Sequence, residues 1–388
     1  MSGIVLSASV RQNLLSLQST AELLATTQND LATGNKVNSA LDNPTNYFTA
    51  QGLNNRASDI GNLLDAIGNG VQVLQAANTG LTSLQSLVDN AKSIANQVLQ
   101  TSVGYSTKST VTSTALAATA TSNDLVDGTV IKSGDVLTIA STGGGTATNF
   151  TFGANTSLAQ LNTALASNNL SASINSSNEL VITTTNDAAS STIGAVTYSA
   201  GGGTITFGAA TTPTADAASQ AIRANLVSQY NSVIQQITNT AQDASFNGIN
   251  LLNGDSLKLT FDETAKSTLS ITGVTYDANG LGLSNLTAGT NFLDNNSANS
   301  VLTALTSAST SLRTEASALG SNLSVVQIRQ DFNKNLINVL QTGSSNLTLA
   351  DPNEEAANSQ ALSTRQSIAV SALALANQSQ QSVLQLLR

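Results

Sequence analysis

At 388 residues the chain is long enough for two to four domains, and its formal net charge of −9 argues against binding nucleic acid, which needs clustered Lys and Arg to neutralise phosphates. There is no His and no Cys, which removes the usual proton-transfer residue near neutral pH, a thiolate metal site, a cysteine nucleophile and a disulfide framework. With no Trp and 3% aromatic residues, packing falls to Leu, Ile, Val and Ala, which suits long helices rather than one large globular core. No window approaches 18 consecutive apolar residues, so membrane insertion is not expected. The N-terminus lacks a basic region, an apolar core and a cleavage site, so no cleavable signal peptide is expected.

The first helix-length run, Val10 to Leu31, places apolar residues at Val10, Leu14, Leu17, Ala21, Leu24 and Leu31, with Gln28 in the one gap. Steps of four and three make a heptad seam that requires a partner helix. The run carries only Arg11, Glu22 and Asp30 as charges, and the stretch Leu362 to Arg388 has none between Arg365 and Arg388. Two helices so short of charge are expected to meet each other and to be covered by further copies of the chain. Their predicted subunit-interface residues are Val10, Leu14, Leu17, Leu24, Leu31, Leu373, Ala376, Val383, Leu386 and Leu387. Helices of this length are marginal alone in water, so the ends are expected to become ordered on assembly.

Gly34 reads as a left-handed stop, and Asn43-Pro44 as an N-cap followed by the first helical position, leaving 34–43 as a short connector. A long helix follows from Pro44 to Gln100, about 85 Å at 1.5 Å per residue. Its seam runs Ile60, Leu64, Ile67, Val71, Leu74, Asn78, Leu81, slips at Leu84, and resumes through Val88, Ala91, Ala95 and Val98.

From 102 to 215 the composition turns to Ser, Thr, Gly and Ala, and the period shifts toward two. Val130–Ala140 and Asn149–Phe152 read as strands, and Ser157 as the cap of a short helix with Leu158, Leu161 and Leu165 on one face. Leu170–Ile174 and Leu180–Thr184 read as a hairpin, as do Ile193–Tyr198 and Thr204–Phe207 across Gly201-Gly202-Gly203. Helical period returns at Ala217, with a seam at Ile222, Leu226, Tyr230, Val233 and Ile237. After the turn-rich run Phe246–Gly254, the alternation of Leu257, Leu259 and Phe261 with Leu269, Ile271 and Val274 predicts a β-hairpin. A strict seven-residue series, Leu305, Leu312, Leu319, Val326, Asn333 and Leu340, with companions Ser309, Ala316, Leu323, Gln330 and Ile337, predicts a second long helix broken by Gly343-Ser344-Ser345. The terminal helix starts near Asn353, where Glu354 and Glu355 suit its N-terminal dipole.

The expected fold is therefore mainly α, built of long antiparallel helical rods, with an inserted β-rich domain that forms a small α+β outer module. Segments 1–33 and 353–388 form a terminal coiled coil. Segments 44–101, 216–276 and 300–342 form a helical rod domain with its β-hairpin, 102–215 is the insert, and 277–299 is an irregular connector. The carboxylate pairs Asp262-Glu263 and Glu354-Glu355 have adjacent side chains that point apart, so they read as solvated or helix-end charges rather than acid/base or metal sites. Gly143-Gly144-Gly145 and Gly201-Gly202-Gly203 lack the Lys-Ser/Thr pair of a phosphate cradle and read as loops. No catalytic, cofactor or metal residue is expected.

Three motifs resemble bacterial flagellin of the alphaproteobacterial kind: Gly34–Asn43, Phe246-Asn247-Gly248 with Leu251-Leu252 and Gly254, and Ala374–Gln378 through Val383–Arg388. The resemblance covers both ends and roughly two thirds of the chain. It implies a structural subunit that polymerises into a flagellar filament outside the cell for swimming. The partners implied are further copies of itself, sibling flagellins, a flagellar export apparatus with a flagellin chaperone, a filament cap and hook-associated proteins. A hook–filament junction protein, which shares such terminal helices, and an adhesin-like Ser/Thr-rich binding module are the other readings. Many flagellins carry an Arg-rich segment on the first rod that the vertebrate flagellin receptor engages. Here Leu87-Val88-Asp89 stands in its place, which implies weak recognition.

Overall fold

The computed structural model describes residues 8–199 and 201–386. In chain order the elements are α1 (Ala8–Thr33), α2 (Pro44–Gln100), β1 (Tyr105–Thr107), β2 (Thr110–Ala115), β3 (Val136–Ile139), β4 (Thr148–Thr151), α3 (Leu158–Ala166), β5 (Leu170–Ile174), β6 (Glu179–Thr184), β7 (Val196–Ser199) and β8 (Thr214–Ala215). They continue with α4 (Ala217–Asp243), β9 (Ser256–Thr260), β10 (Thr268–Thr272), α5 (Asn295–Thr348) and α6 (Pro352–Leu386). The chain divides into two compact units, one of Met1–Gly70, Lys258–Leu269 and Val325–Arg388, the other of Val71–Leu257 and Ser270–Ser324.

In the first unit α1 ends as its sequence dictates. Gly34 takes φ +72° and its N–H returns to Asp30 O at 2.8 Å. The connector is pinned to the far end of α5, with Lys36 N–H donating to Thr348 O at 2.7 Å and Ala350 N–H to Gly34 O at 3.0 Å. Asn43 caps α2 through its side-chain oxygen, 3.0 Å from Asn46 N. Ala57, Ile60 and Leu340 form a buried cluster with Leu53, Leu336 and Ile337 packed on it. Asn333, a polar residue on an otherwise apolar seam, is buried and donates to Phe261 O at 3.0 Å, so its amide finds a partner beside the β9–β10 hairpin.

The expected break at Gly343-Ser344-Ser345 does not occur; α5 runs on to Thr348. Gly343 sits where an added Cβ would meet Leu53 Cδ1 at 3.5 Å, and the buried Ser344 hydroxyl donates to Ala50 O at 3.2 Å. Packing against α2 outweighs the roughly 1 kcal/mol that glycine costs a helix. The phase slip in α2 also moves. Ala77 is fully buried while Asn78 is exposed, so the two consecutive three-residue steps fall at Val71, Leu74 and Ala77, not at Leu84. The α5 series is as expected, with Leu305, Leu312, Leu319, Val326, Asn333 and Leu340 all buried.

In the second unit, α4 buries Arg223, Leu226, Val227, Tyr230, Ile234, Ile237 and Ala241. The expected Ile222 is exposed and Val233 half-buried, one residue out of phase with the face that packs. Arg223 takes the inner place because main-chain carbonyls converge there. Its guanidinium donates to Ser102 O at 2.8 Å, Phe292 O at 2.7 Å, and Val98 O and Thr101 O at 3.2 Å each. It thereby satisfies the carbonyls left open at the C-terminal end of α2.

The insert holds two three-stranded antiparallel sheets, β2-β6-β5 and β4-β3-β7, with α3 against them. Ser157 caps α3 in a reciprocal capping box with Gln160, and Leu161 and Leu165 are its buried residues. The Leu170–Ile174 hairpin forms as read. The second hairpin does not. β7 pairs with β3, from Val136↔Ser199 to Ile139↔Val196, and 204–207 makes hydrogen bonds to Val130 and Thr114. Strand β3 is shorter than the expected 130–140, because Asp127 Oδ1 accepts from Thr129 N and Val130 N and holds that stretch in a turn. The sheet closes on a buried carboxylate. Asp135 Oδ2 accepts from Tyr198 Oη at 2.5 Å and Lys132 N at 2.7 Å, and Oδ1 accepts from Gly201 N at 2.5 Å. Gly203 packs so closely on Asp135 and Val130 that a side chain there would collide with both.

Candidate assembly surface

The terminal helices α1 and α6 pack against each other. On α6 the half-buried positions are Glu355, Ser359, Leu362, Gln366, Ala369, Leu373 and Ala376, an unbroken alternation of four and three. On α1 the inward positions are Val10, Asn13, Leu17, Thr20, Ala21, Leu24, Thr27 and Asp30. Thr20 joins the expected Ala21 on the inner face, while Asn13 and Thr27 take the places expected for Leu14 and Gln28, which are exposed. Thr20 returns its hydroxyl to Ser16 O at 2.8 Å, so it enters the seam without an unsatisfied donor. Burial, then the nearby Asp42 carboxylate, pushes the Asp30 carboxyl up, while Asn38 Nδ2 donates to it at 3.2 Å.

The ten expected interface residues thus divide. Val10 is buried and Leu17, Leu24, Leu373 and Ala376 are half-buried, all lying on the seam between α1 and α6 of one chain. Leu14 and Leu31 are exposed, at 46% and 43%. The side chains of Val383 and Leu386, and all of Leu387, lie outside the described residues. Sequence reasoning missed a second apolar set that the pair leaves in water. This set is Leu15 at 66% and Leu23 at 51% on α1, and Ile368, Val370 and Leu375 on α6, at 64%, 52% and 68%. The signal was present. Ile368, Ala372 and Leu375 repeat the same four-three spacing on another face of the helix. A third exposed stripe, Val325, Ile328, Phe332 and Val339, follows the same spacing on α5.

The carboxylate pairs have structural partners. Asp262 accepts from Thr264 Oγ1 and Ser267 N in the β9–β10 turn, and Glu263 pairs with Arg56 at 2.6 Å. Asp351 Oδ1 accepts from Asn353 N at 2.9 Å at the start of α6, with Glu354 and Glu355 in its first turn. Among the described residues no group of three or more Asp and Glu side chains is gathered as for a metal ion. No described helix is long and apolar enough to cross a membrane.

Exposed apolar stripes on long, lightly charged helices, beside an inner seam already filled, are the geometry of a surface that packs against further protein. Residues 5–117 match the family model of the bacterial flagellin N-terminal helical region, and residues 302–387 that of the C-terminal helical region. Together the two take in just over half of the chain. Flagellin FljM of Caulobacter vibrioides is 33% identical over 164 residues, covering 42% of this chain and 59% of that protein. Flagellin FljK of the same organism is 31% identical with the same coverage. Flagellin A of Rhizobium meliloti (strain 1021) is 38% identical over 79 residues, 20% of each chain. The chain thus spans about three fifths of the length of the Caulobacter relatives it matches. With long terminal helices, helical regions matched at both ends and a β-rich segment between them, the chain belongs to the bacterial flagellin family.

Proposed function

We propose that this chain is a structural subunit that polymerises through its α1–α6 pair into the flagellar filament, outside the cell, and so serves swimming. The observation that carries the reading is the apolar set Leu14, Leu15, Leu23, Leu31, Ile368, Val370 and Leu375, which one chain's own seam leaves exposed. Completing the burial of each half-exposed side chain contributes about 1 kcal/mol, part of the 1.5–3 kcal/mol for full burial. A single pairwise contact is therefore weak, and many neighbours are needed. Contacts that join different faces head to tail, where they do not close into a ring, generate a helical polymer. Export by a dedicated apparatus with a chaperone and growth under a cap beyond hook-associated proteins belong to this same reading. It assigns the chain no catalytic role.

Seeded growth tests it. Purified chain is added to short filament fragments alongside Leu15→Glu, Leu375→Glu, and variants lacking 1–20, 369–388 or 105–212. Growth is expected to fail in the first four and to persist in the last, with helix content by circular dichroism rising as wild-type chain assembles. Normal growth of the two glutamate variants would reject this surface.

A further inference from the structure

The insert's apolar cluster draws every buried member from residues 111–205, among them Val111, Leu137, Phe152, Leu161 and Ile182, so the module supplies its own core. Two strands tie it to the helices. Tyr105 pairs with Ala215 and Thr107 with Thr214 where the chain leaves α2 and returns to α4. A two-stranded ribbon alone is marginally stable and acts as a hinge. The structure adds a second attachment, distant in sequence. Ser190 Oγ donates to Asp294 Oδ2 at 2.5 Å, and Asn296 Nδ2 donates to Gly143 O at 3.0 Å. Both contacts join the base of the insert to the first residues of α5. Asp294 also caps α5, accepting from Ser297 N at 3.0 Å through its other oxygen, so the carboxylate that holds the insert is itself held.

The glycine run 143–145 makes this base possible. A Cβ on Gly143 would strike Ala188, and one on Gly145 would lie 2.7 Å from the Asn168 backbone. Asn168 is buried, accepts from Thr142 N at 2.8 Å and donates to Ala140 O at 3.1 Å, which fixes the loop that presents the Gly143 carbonyl.

We propose that these two polar contacts form a latch that sets the insert's direction on the helices of its own unit, so that the module is docked rather than swinging on its ribbon. The latch is separable from folding, because neither Ser190 nor Asn296 belongs to the insert's apolar core.

The test compares residual dipolar couplings and backbone amide exchange in the full chain, wild type against Ser190→Ala/Asn296→Ala. This double variant keeps the Asp294 cap. In the wild type one alignment tensor should fit the insert and residues 71–100. In the double variant the insert should need its own, weaker tensor, while exchange protection in β3, β5 and β6 stays unchanged. A single tensor in both proteins, or two tensors already in the wild type, overturns the latch. So does loss of protection in β3, β5 and β6, since the contacts would then hold the fold rather than the direction. None of these outcomes depends on whether the chain polymerises.

Discussion

Replacing Arg223 by Met keeps the length of the side chain and removes every donor. Arg223 is 1% exposed, and its four hydrogen bonds end on main-chain carbonyls that cannot move away without unwinding the end of α2 or the start of α5. The four do not count equally. Val98 O keeps the Thr101 hydroxyl at 2.8 Å and loses least, whereas among the described residues no hydrogen bond other than the guanidinium's is made to Phe292 O. An unsatisfied buried acceptor costs about 1–3 kcal/mol, and the Ser102 and Thr101 carbonyls, only partly buried, add less. Burial lowers the pKa of the guanidinium, with Asp294 opposing, so the native charge carries a desolvation penalty that Met relieves. The net expectation is a loss of about 2–4 kcal/mol, with a fall in Tm of about 6–12 °C for a cooperative unit of this size. Arg223→Lys should recover little, because one ammonium cannot span carbonyls arranged for a planar fork. Urea unfolding followed by circular dichroism measures the loss, and amide exchange should locate it at the end of α2 and the start of α5. Arg223→Met within about 0.5 kcal/mol of wild type would refute the reasoning, since it would mean that the carbonyls find other partners.

Two glycines of α2 should respond with opposite signs to alanine. Gly52 has open space around it, so Gly52→Ala should stabilise by about 0.5–1 kcal/mol. At Gly80 the new methyl would lie 2.6 Å from Ala244 Cβ and 2.7 Å from Leu252 Cδ1, so Gly80→Ala should destabilise by about 1–3 kcal/mol, despite the better helix propensity, in the same urea titration. Burial pulls the Asp135 carboxyl up, but the Tyr198 hydroxyl and the amides of Lys132, Gly201 and Gly203 outweigh it and set the pKa below the usual carboxylate range. Its stabilisation is therefore complete above the unfolded pKa near 4 and lost as pH falls through the folded one. The urea midpoint of Asp135→Asn should accordingly lie below wild type at pH 7, and the gap should close in acid; a gap independent of pH would contradict this. On the exposed face of α2, Asp89 accepts from Gln85 Nε2 at 3.0 Å where an Arg-rich segment would be needed. Purified monomer should therefore activate reporter cells bearing the vertebrate flagellin receptor weakly, and strong activation would reject that expectation.

Sequence by itself determined the helices, most of their ends and most of their buried faces. Asn43-Pro44 and Gly34 set boundaries by local chemistry, and the seven-residue series from Leu305 to Leu340 kept one face because a long helix has no other way to bury it. The Ser157 cap and the Leu170–Thr184 hairpin were legible for the same reason, since their causes lie within a few residues. Tertiary structure decided where groups distant in sequence compete. Ile222 yielded the inner place to Arg223 because carbonyls from the end of α2 and from Phe292 converge there, and β7 chose β3 over its neighbour in sequence because Asp135 draws Tyr198 and Gly201 onto one carboxylate. Gly343 stayed helical because Leu53 and the Ala50 carbonyl lay across from it. The assembly surface divides along the same line. Periodicity marked both terminal helices as apolar, but only their pairing separated Leu17, Leu24 and Leu373, which one chain covers, from Leu15, Leu23, Ile368 and Leu375, which it leaves exposed. A period is a property of one strand of chain, whereas the face that is covered depends on the partner that arrives.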